Sequence, residues 1–272
     1  MSRSRRRASI RAVPARPRSS SVLTQLFLHG RILAIVAAAR RAGVTNIWGV
    51  VGEEGAPPRP RRLLLARHGE TEWNARRVWQ GHRDVPLTAV GREQAAALAT
   101  RLAAERIDAV WTSDLARARE TAEIVGARLG LVPRVTPLLR EIDVGAWEGL
   151  DPAAIAAREP AVVAALDRGE DPPRGGTGET VAAFRARVVA AFDRACAATV
   201  GGTLLVVAHG GVNKVVVAHL LGVRPTHVGR LASGGNASLT EVVFGRHGPQ
   251  LVRLNDAGHV PGPPTAAPAD GA

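Results

Sequence analysis

Leu63-Leu64-Leu65-Ala66-Arg67-His68-Gly69-Glu70-Thr71-Glu72-Trp73-Asn74 decides how the rest of the chain is read. The apolar run Leu63 to Ala66 has the character of a buried strand, and a glycine just past a strand end lets the backbone turn sharply and approach a ligand closely. Arg67 and His68 therefore arrive together at a sheet edge. A guanidinium offers a planar fork of donors suited to phosphate, and an imidazole that keeps one lone pair can attack phosphorus and carry the group covalently. The stretch reads as a phosphate site with His68 as nucleophile. Arg-His-Gly occurs again at Arg246-His247-Gly248, but that copy runs straight into Pro249 without the Glu-Thr-x-x-Asn continuation, and it reads as a surface turn.

Downstream, the pattern alternates between strand and helix. Thr88 or one of its neighbours caps a helix running through Ala104, with Ala95, Leu98 and Leu102 on one face. Ala109 to Thr112 reads as a second strand, Ser113-Asp114 as the start of a helix, and Gly130 as the stop after Leu129. Thr203 to Ala208 is another buried-strand run leading into His209-Gly210-Gly211, so the opening device of strand, histidine, glycine and helix is repeated, here through Leu221. The expected fold is α/β, a three-layer αβα sandwich with a mostly parallel central sheet and helices on both faces. Ligands in such sheets collect beyond the carboxyl ends of the strands, where the two histidines would face one pocket.

From Arg67 through Arg-Arg-Val-Trp-Gln-Gly-His-Arg-Asp-Val-Pro-Leu-Thr to Gly91-Arg92-Glu93-Gln94-Ala95, the chain resembles the histidine phosphatase superfamily, and matching motifs follow in order from Arg62 to His259. The resemblance implies that Arg67, Asn74, Arg117 and His209 cradle the phosphoryl group. Arg117 falls in the family's second arginine motif, Ser113-Asp114-Leu115-Ala116-Arg117, whereas Arg119 reads as a solvated helix arginine pairing with Glu120 or Glu123. Leu139 to Leu150 carries three acids. The resemblance places the proton donor on Glu141, with Asp143 and Glu148 holding the loop through hydrogen bonds to backbone; spacing alone does not separate Glu141 from Asp143. Residues 151–174 read as a lid-like insertion with an alanine-rich helix. Gly178-Glu179-Thr180 resembles the family's Gly-Glu-Ser motif and opens a helix with Val181, Phe184, Val188 and Phe192 inward. The implied activity is metal-independent hydrolysis of a small phosphorylated metabolite through a phosphohistidine, with no cofactor. Two segments, Leu139 to Gly149 and Gly235 to Ser238, look like bacterial sugar-phosphate phosphatases, and the α-ribazole-phosphate branch is nearly as close. A mutase would use the same pocket but carries a longer, basic insertion between acid and second histidine. A non-catalytic phospho-ligand or nucleic-acid binder is the remaining alternative.

At 272 residues with 46% apolar content, the chain can hold one sizeable α/β domain with tails. The net charge of +12 is concentrated: residues 1–62 hold 13 arginines and 2 glutamates, +11 of the total. Nucleic acid or anionic lipid would therefore meet the extension rather than the catalytic part. Expected boundaries are 1–60 for a basic, disordered or dispensable extension, 61–259 for the catalytic domain and 260–272 for a disordered tail. Within the extension, Ala38 to Glu54 resembles the opening of thiamine-diphosphate enzymes and is assigned no chemistry, and Pro57 to Pro60 reads as a stiff linker. The apolar stretch from Val22 is interrupted by His29-Gly30-Arg31, too short for a membrane helix. With Cys196 alone, no intrachain disulfide can form, which suits a cytoplasmic protein, and the thiol reads as packed in the core. His219, His227 and His259 lack metal spacing and read as surface or packing residues. A homodimer is compatible with all of this.

Overall fold

The computed structural model describes residues 59–224, 228 and 230–262. The readings made for residues 1–58, for most of the 260–272 tail and for His227 lie outside the described residues. The described chain forms a six-stranded sheet whose order is β3-β2-β4-β1-β5-β6. Its strands are β1 (Arg62–Arg67), β2 (Ala109–Thr112), β3 (Arg134–Val135), β4 (Thr203–Ala208), β5 (Leu239–Gly245) and β6 (Gly248–Asp256). The first four are mutually parallel, while β5 and β6 add an antiparallel edge beside β1.

The central pair is apolar from Leu63 to Ala66 and from Leu204 to Ala208 because both faces are covered there. Leu63 and Leu65, with Leu204 and Val206, pack against α6 (Val181–Ala197) and α7 (Gly210–Leu221) through Phe184, Val188, Phe192, Val212 and Val216. Leu64 and Ala66, with Leu205 and Val207, pack on the other face against Leu98, Leu102, Ala122 and Val125 of α2 (Ala89–Leu102) and α3 (Ala116–Leu129). Full burial of each such leucine contributes about 2 kcal/mol, and the period-two alternation fixes which helix pair it meets. This is the expected three-layer arrangement. Cys196 is buried in the α6 layer, and burial pushes its thiol up to about 11.

Several local readings need correction. Ser113-Asp114 does not cap α3: the helix begins at Ala116 behind Leu115, which makes no side-chain cap. Ser113 Oγ instead accepts the Leu115 N–H, and Asp114 is held by the Arg140 fork at 2.8 and 2.6 Å. The paired bonds from Arg140 Nε and Nη2 take up both carboxylate oxygens of Asp114, the atoms a cap would use. The 151–174 segment holds two helices rather than one, α4 (Pro152–Arg158) and α5 (Pro160–Asp167). Pro160 cannot supply a donor to continue α4 but fits the first turn of α5. Helix α2 stops at Leu102, two residues early, and Arg246-His247 is the exposed turn joining β5 to β6. No helix among the described residues is long and apolar enough to cross a membrane.

Candidate active site

In the parallel pairing of β1 with β4, Arg67 is level with Ala208, so the next residue of each strand is a histidine. The His68 N–H donates to the Ala208 carbonyl at 2.9 Å, and the two rings stand with centroids 5.3 Å apart. β4 lies between β1 and β2 although it comes last of the three in sequence. The crevice at that switch in strand order is where open α/β sheets receive ligands.

The protonation state of His68 follows from one contact. Nδ1 lies 2.7 Å from the Gly69 carbonyl oxygen. A carbonyl only accepts, so Nδ1 carries the proton and Nε2 of the neutral ring keeps its lone pair. Burial, followed by the positive charges of Arg117 and Arg67, holds the His68 pKa well below 6.5. His209, fully buried, is lowered by burial, then by Arg117 and His68. Both rings are uncharged at neutral pH.

Two guanidinium groups close the other sides. Arg67 donates to the Gly234 carbonyl at 2.7 Å, and Arg117 donates to the carbonyls of Arg83 and Gly81 at 2.8 and 2.9 Å. Burial lowers Arg117 to about 10, which leaves it charged at neutral pH. The Nε atoms of both arginines and both ring nitrogens of His209 are buried without a hydrogen-bond partner among the described residues. Buried donors are seldom left unmet in native proteins, and groups of this kind suit an anion with several acceptor oxygens.

Asn74 is the third residue of the short helix α1 (Glu72–Ala75), where it forms a capping box with Thr71. Its Oδ1 accepts from the Thr71 N–H, the Thr71 hydroxyl and Asn236 Nδ2 at 2.9 to 3.1 Å. That assignment of the amide leaves its Nδ2 as the donor end on a residue lining the cleft. The loop itself is seated by the Gly69 N–H on Thr121 Oγ1 and by backbone contact between Gly69 and the Gly91 carbonyl, so tight that neither glycine tolerates a side chain.

Glu141 lines the same cleft as Arg67, His68, Asn74 and Arg117, whereas Asp143 does not. Its carboxylate accepts the Ile142 N–H at 2.9 Å and, from the first turn of α7, the Gly211 N–H at 3.0 Å. Asp143 holds the loop as expected, accepting the Gly145 N–H, but Glu148 faces Arg83 at 3.8 Å instead of a backbone donor. Arg119 pairs with Glu123 at 3.7 Å, and Glu120 is taken by Arg92. His259 bonds to the Ala237 carbonyl and His219 packs edge-on against Phe192, both consistent with packing roles.

Three contributors were not picked out from the sequence. Arg187 of α6 forks onto Glu179 and also donates to the carbonyls of Leu138, Arg140 and Glu141 at 3.0, 2.7 and 2.6 Å. His82 Nε2 donates to the Glu141 carbonyl at 2.9 Å. Lys214, 5% exposed, lies on the cleft wall. Nothing in local spacing marks a residue whose partners are backbone carbonyls of a distant loop.

Residues 63–257 match the family model described as histidine phosphatase superfamily, branch 1. Glucosyl-3-phosphoglycerate phosphatase of Mycobacterium tuberculosis is 38% identical over 193 residues, covering 68% of this chain and 86% of that protein. A probable phosphoglycerate mutase, GpmB, of Yersinia enterocolitica is 36% identical over 183 residues, covering 67% and 85%. Among solved structures, mycobacterial glucosyl-3-phosphoglycerate phosphatase complexed with VO3 is 34% identical and superposes with a TM-score of 0.64 over 72% of this chain and 99% of that one.

Proposed function

We infer the chemistry of this chain from the premise that it belongs to the histidine phosphatase superfamily and is a phosphoric monoester hydrolase. In the proposed reaction Arg67, Asn74, Arg117 and His209 hold the non-bridging oxygens of a phosphomonoester and stabilise the charge that spreads over them in a loose transition state. His68 Nε2 attacks phosphorus in line as the ester P–O bond breaks, and Glu141 gives its proton to the departing alcohol oxygen. Glu141, now a carboxylate, takes a proton from water as that water attacks the phosphohistidine, and inorganic phosphate leaves. The protein's own guanidinium groups supply the positive charge, so the reading needs no metal. The single observation that carries it is the approach of the His68 and His209 rings to 5.3 Å at the tips of two paired strands, with His68 lining one cleft beside Arg67, Arg117 and Glu141.

The substrate is a small phosphorylated metabolite of the phosphoglycerate or sugar-phosphate type, in keeping with the names of the relatives. Phosphoryl return to the substrate, as in a mutase, is the second reading and is favoured by the likeness to the Yersinia protein. Against it, acids outnumber arginines between Glu141 and His209, where a mutase of this family carries a basic insertion. Phosphate release from a panel of phosphomonoesters with chelator present tests the hydrolase. Replacing His68 by alanine should lower kcat by at least about 10³-fold; full activity in that variant sinks the nucleophile assignment. Label exchange between phosphoglycerate positions without phosphate release would establish the mutase.

A further inference from the structure

Arg67, His68 and Asn74 all bond to one short segment, Gly234 to Ser238, at the entry to β5. The Ser238 N–H closes a turn on the Gly235 carbonyl at 3.2 Å, and the third residue of that turn, Ala237, stands at a φ of 56°. A left-handed φ at the third turn position favours glycine, so a residue with a side chain keeps it only where its surroundings enforce it. Ala237 is pinned by both of its polar groups: its N–H donates to the His68 carbonyl at 3.1 Å, and its carbonyl accepts from His259 Nε2 at 3.0 Å. In the same segment the carbonyls of Gly234 and Ser238 accept from Arg67, from Nη1 at 2.7 Å and from the main-chain N–H at 3.0 Å. Backbone strain held behind a reaction site points to a role in placing its groups.

Asn236, 3% exposed, links the nucleophile to a phosphate ligand. Its Nδ2 lies 3.1 Å from the His68 carbonyl and 3.1 Å from Asn74 Oδ1. A carbonyl only accepts, so this end of the Asn236 amide is the NH2, whose two hydrogens serve the two oxygens. The second hydrogen then holds Asn74 Oδ1 inward, in agreement with the Thr71 N–H, and leaves the Asn74 NH2 as the end that donates to a ligand in the cleft. Asn74 lines that cleft and Asn236 does not. We propose that Asn236 is a positioning residue for phosphoryl transfer, acting in series with Asn74: it aims the Asn74 donor at the transferring group and ties that donor to the peptide of the nucleophile. The proposal rests on the hydrolase reading given above.

The test is a double-mutant cycle in the full chain: Asn74→Ala, Asn236→Leu and the two combined. The readouts are kcat/KM for p-nitrophenyl phosphate and the Kd of orthovanadate, which mimics the transferring phosphoryl group. Each single variant should lose about tenfold or more in both readouts, the scale of one hydrogen bond to a charged group. Because the two residues act in series, the combined variant should lose no more than about threefold beyond Asn74→Ala alone. Losses that multiply overturn the proposal. So does an Asn236→Leu protein whose melting temperature falls while both readouts of the folded fraction stay intact, the behaviour of a merely structural asparagine. If circular dichroism shows Asn236→Leu to be unfolded, Asn236→Ser, smaller and keeping one donor, takes its place under the same criteria. Wild type that binds orthovanadate with this coupling but releases no phosphate from p-nitrophenyl phosphate or 3-phosphoglycerate defeats the hydrolase reading alone, and absence of orthovanadate binding by wild type defeats both.

Discussion

At Gly211 two local effects pull in opposite directions. Alanine favours a helix over glycine by about 1 kcal/mol, yet a Cβ there would strike Glu141 Oε1. The struck atom is the end of a side chain, so the fold survives and the carboxylate moves. Gly211→Ala should therefore keep or slightly raise the Tm while kcat falls about 10²-fold, the usual worth of a positioned proton donor; unchanged kcat would separate Glu141 from the chemistry. The histidines set the pH dependence. Their folded pKa values lie well below 6.5, so as pH falls below 6.5 the unfolded chain takes up protons that the native state refuses. Stability from these two sites is complete above 6.5 and drains away as pH drops toward the depressed folded values. For the same reason the acid limb of kcat/KM should lie below pH 6.5, and a limb at or above that value contradicts a neutral buried nucleophile. His68 and His209 were legible in the sequence because each ends an apolar run and precedes a glycine. Spacing alone did not separate Glu141 from Asp143, since both sit in one loop; the family resemblance favoured Glu141, and of the two only Glu141 lines the cleft.

Among the elements, α6 contributes most to the acid loop without touching the phosphoryl cradle. Arg187 satisfies three loop carbonyls and the Glu179 carboxylate, while Glu179 in turn accepts the Asp143 N–H at 2.9 Å. Arg187→Met removes every donor, together with the guanidinium that lies 4.9 Å from the Phe184 ring centroid. Leaving the partners unmet should cost about 2–4 kcal/mol, seen as a lowered denaturation midpoint. Because the freed loop carries Glu141, kcat should fall more than KM rises, and Arg187→Lys should recover part of both. A purely structural arginine would lower the midpoint and leave the kinetics of the folded fraction intact. Helix faces were readable from apolar spacing, as with Leu98 and Leu102 on α2 or Phe184, Val188 and Phe192 on α6. The start of α3 was not, because Asp114 satisfies Arg140, a partner 26 residues away that no local rule identifies.

For the molecule as a whole, strand alternation announced the layers but not the sheet order, since placing β4 between β2 and β1 depends on pairings such as Ala109 with Leu204 and Arg62 with Thr203, 95 and 141 residues apart. The strands of the described sheet run from Arg62 to Asp256, and the residues proposed for catalysis lie between Arg67 and His209. The contacts reach back beyond the expected start at 61. The Arg59 guanidinium lies 5.3 Å from the Phe192 ring centre and pairs with Asp193 at 2.9 Å, and its carbonyl accepts the Gly201 N–H. Arg62 then ties β1 to Glu105 at 2.6 Å and to Glu241 at 2.7 Å, and the Arg62 hydrogen bond, with that of Arg101, lowers Glu105 to about 2. A fragment of residues 59–262 should thus keep kcat/KM for phosphomonoesters within about twofold, because no group proposed for catalysis is removed. Starting instead at residue 63 strips the Arg59 and Arg62 contacts and should lower the Tm by several degrees, a loss of about 1 kcal/mol or more. The same pair of fragments locates the charge. With +11 of +12 in residues 1–62, any DNA affinity of the full chain should weaken steeply with salt and vanish from 59–262. Retained DNA binding by an active 59–262 fragment would move the nucleic-acid surface onto the catalytic domain.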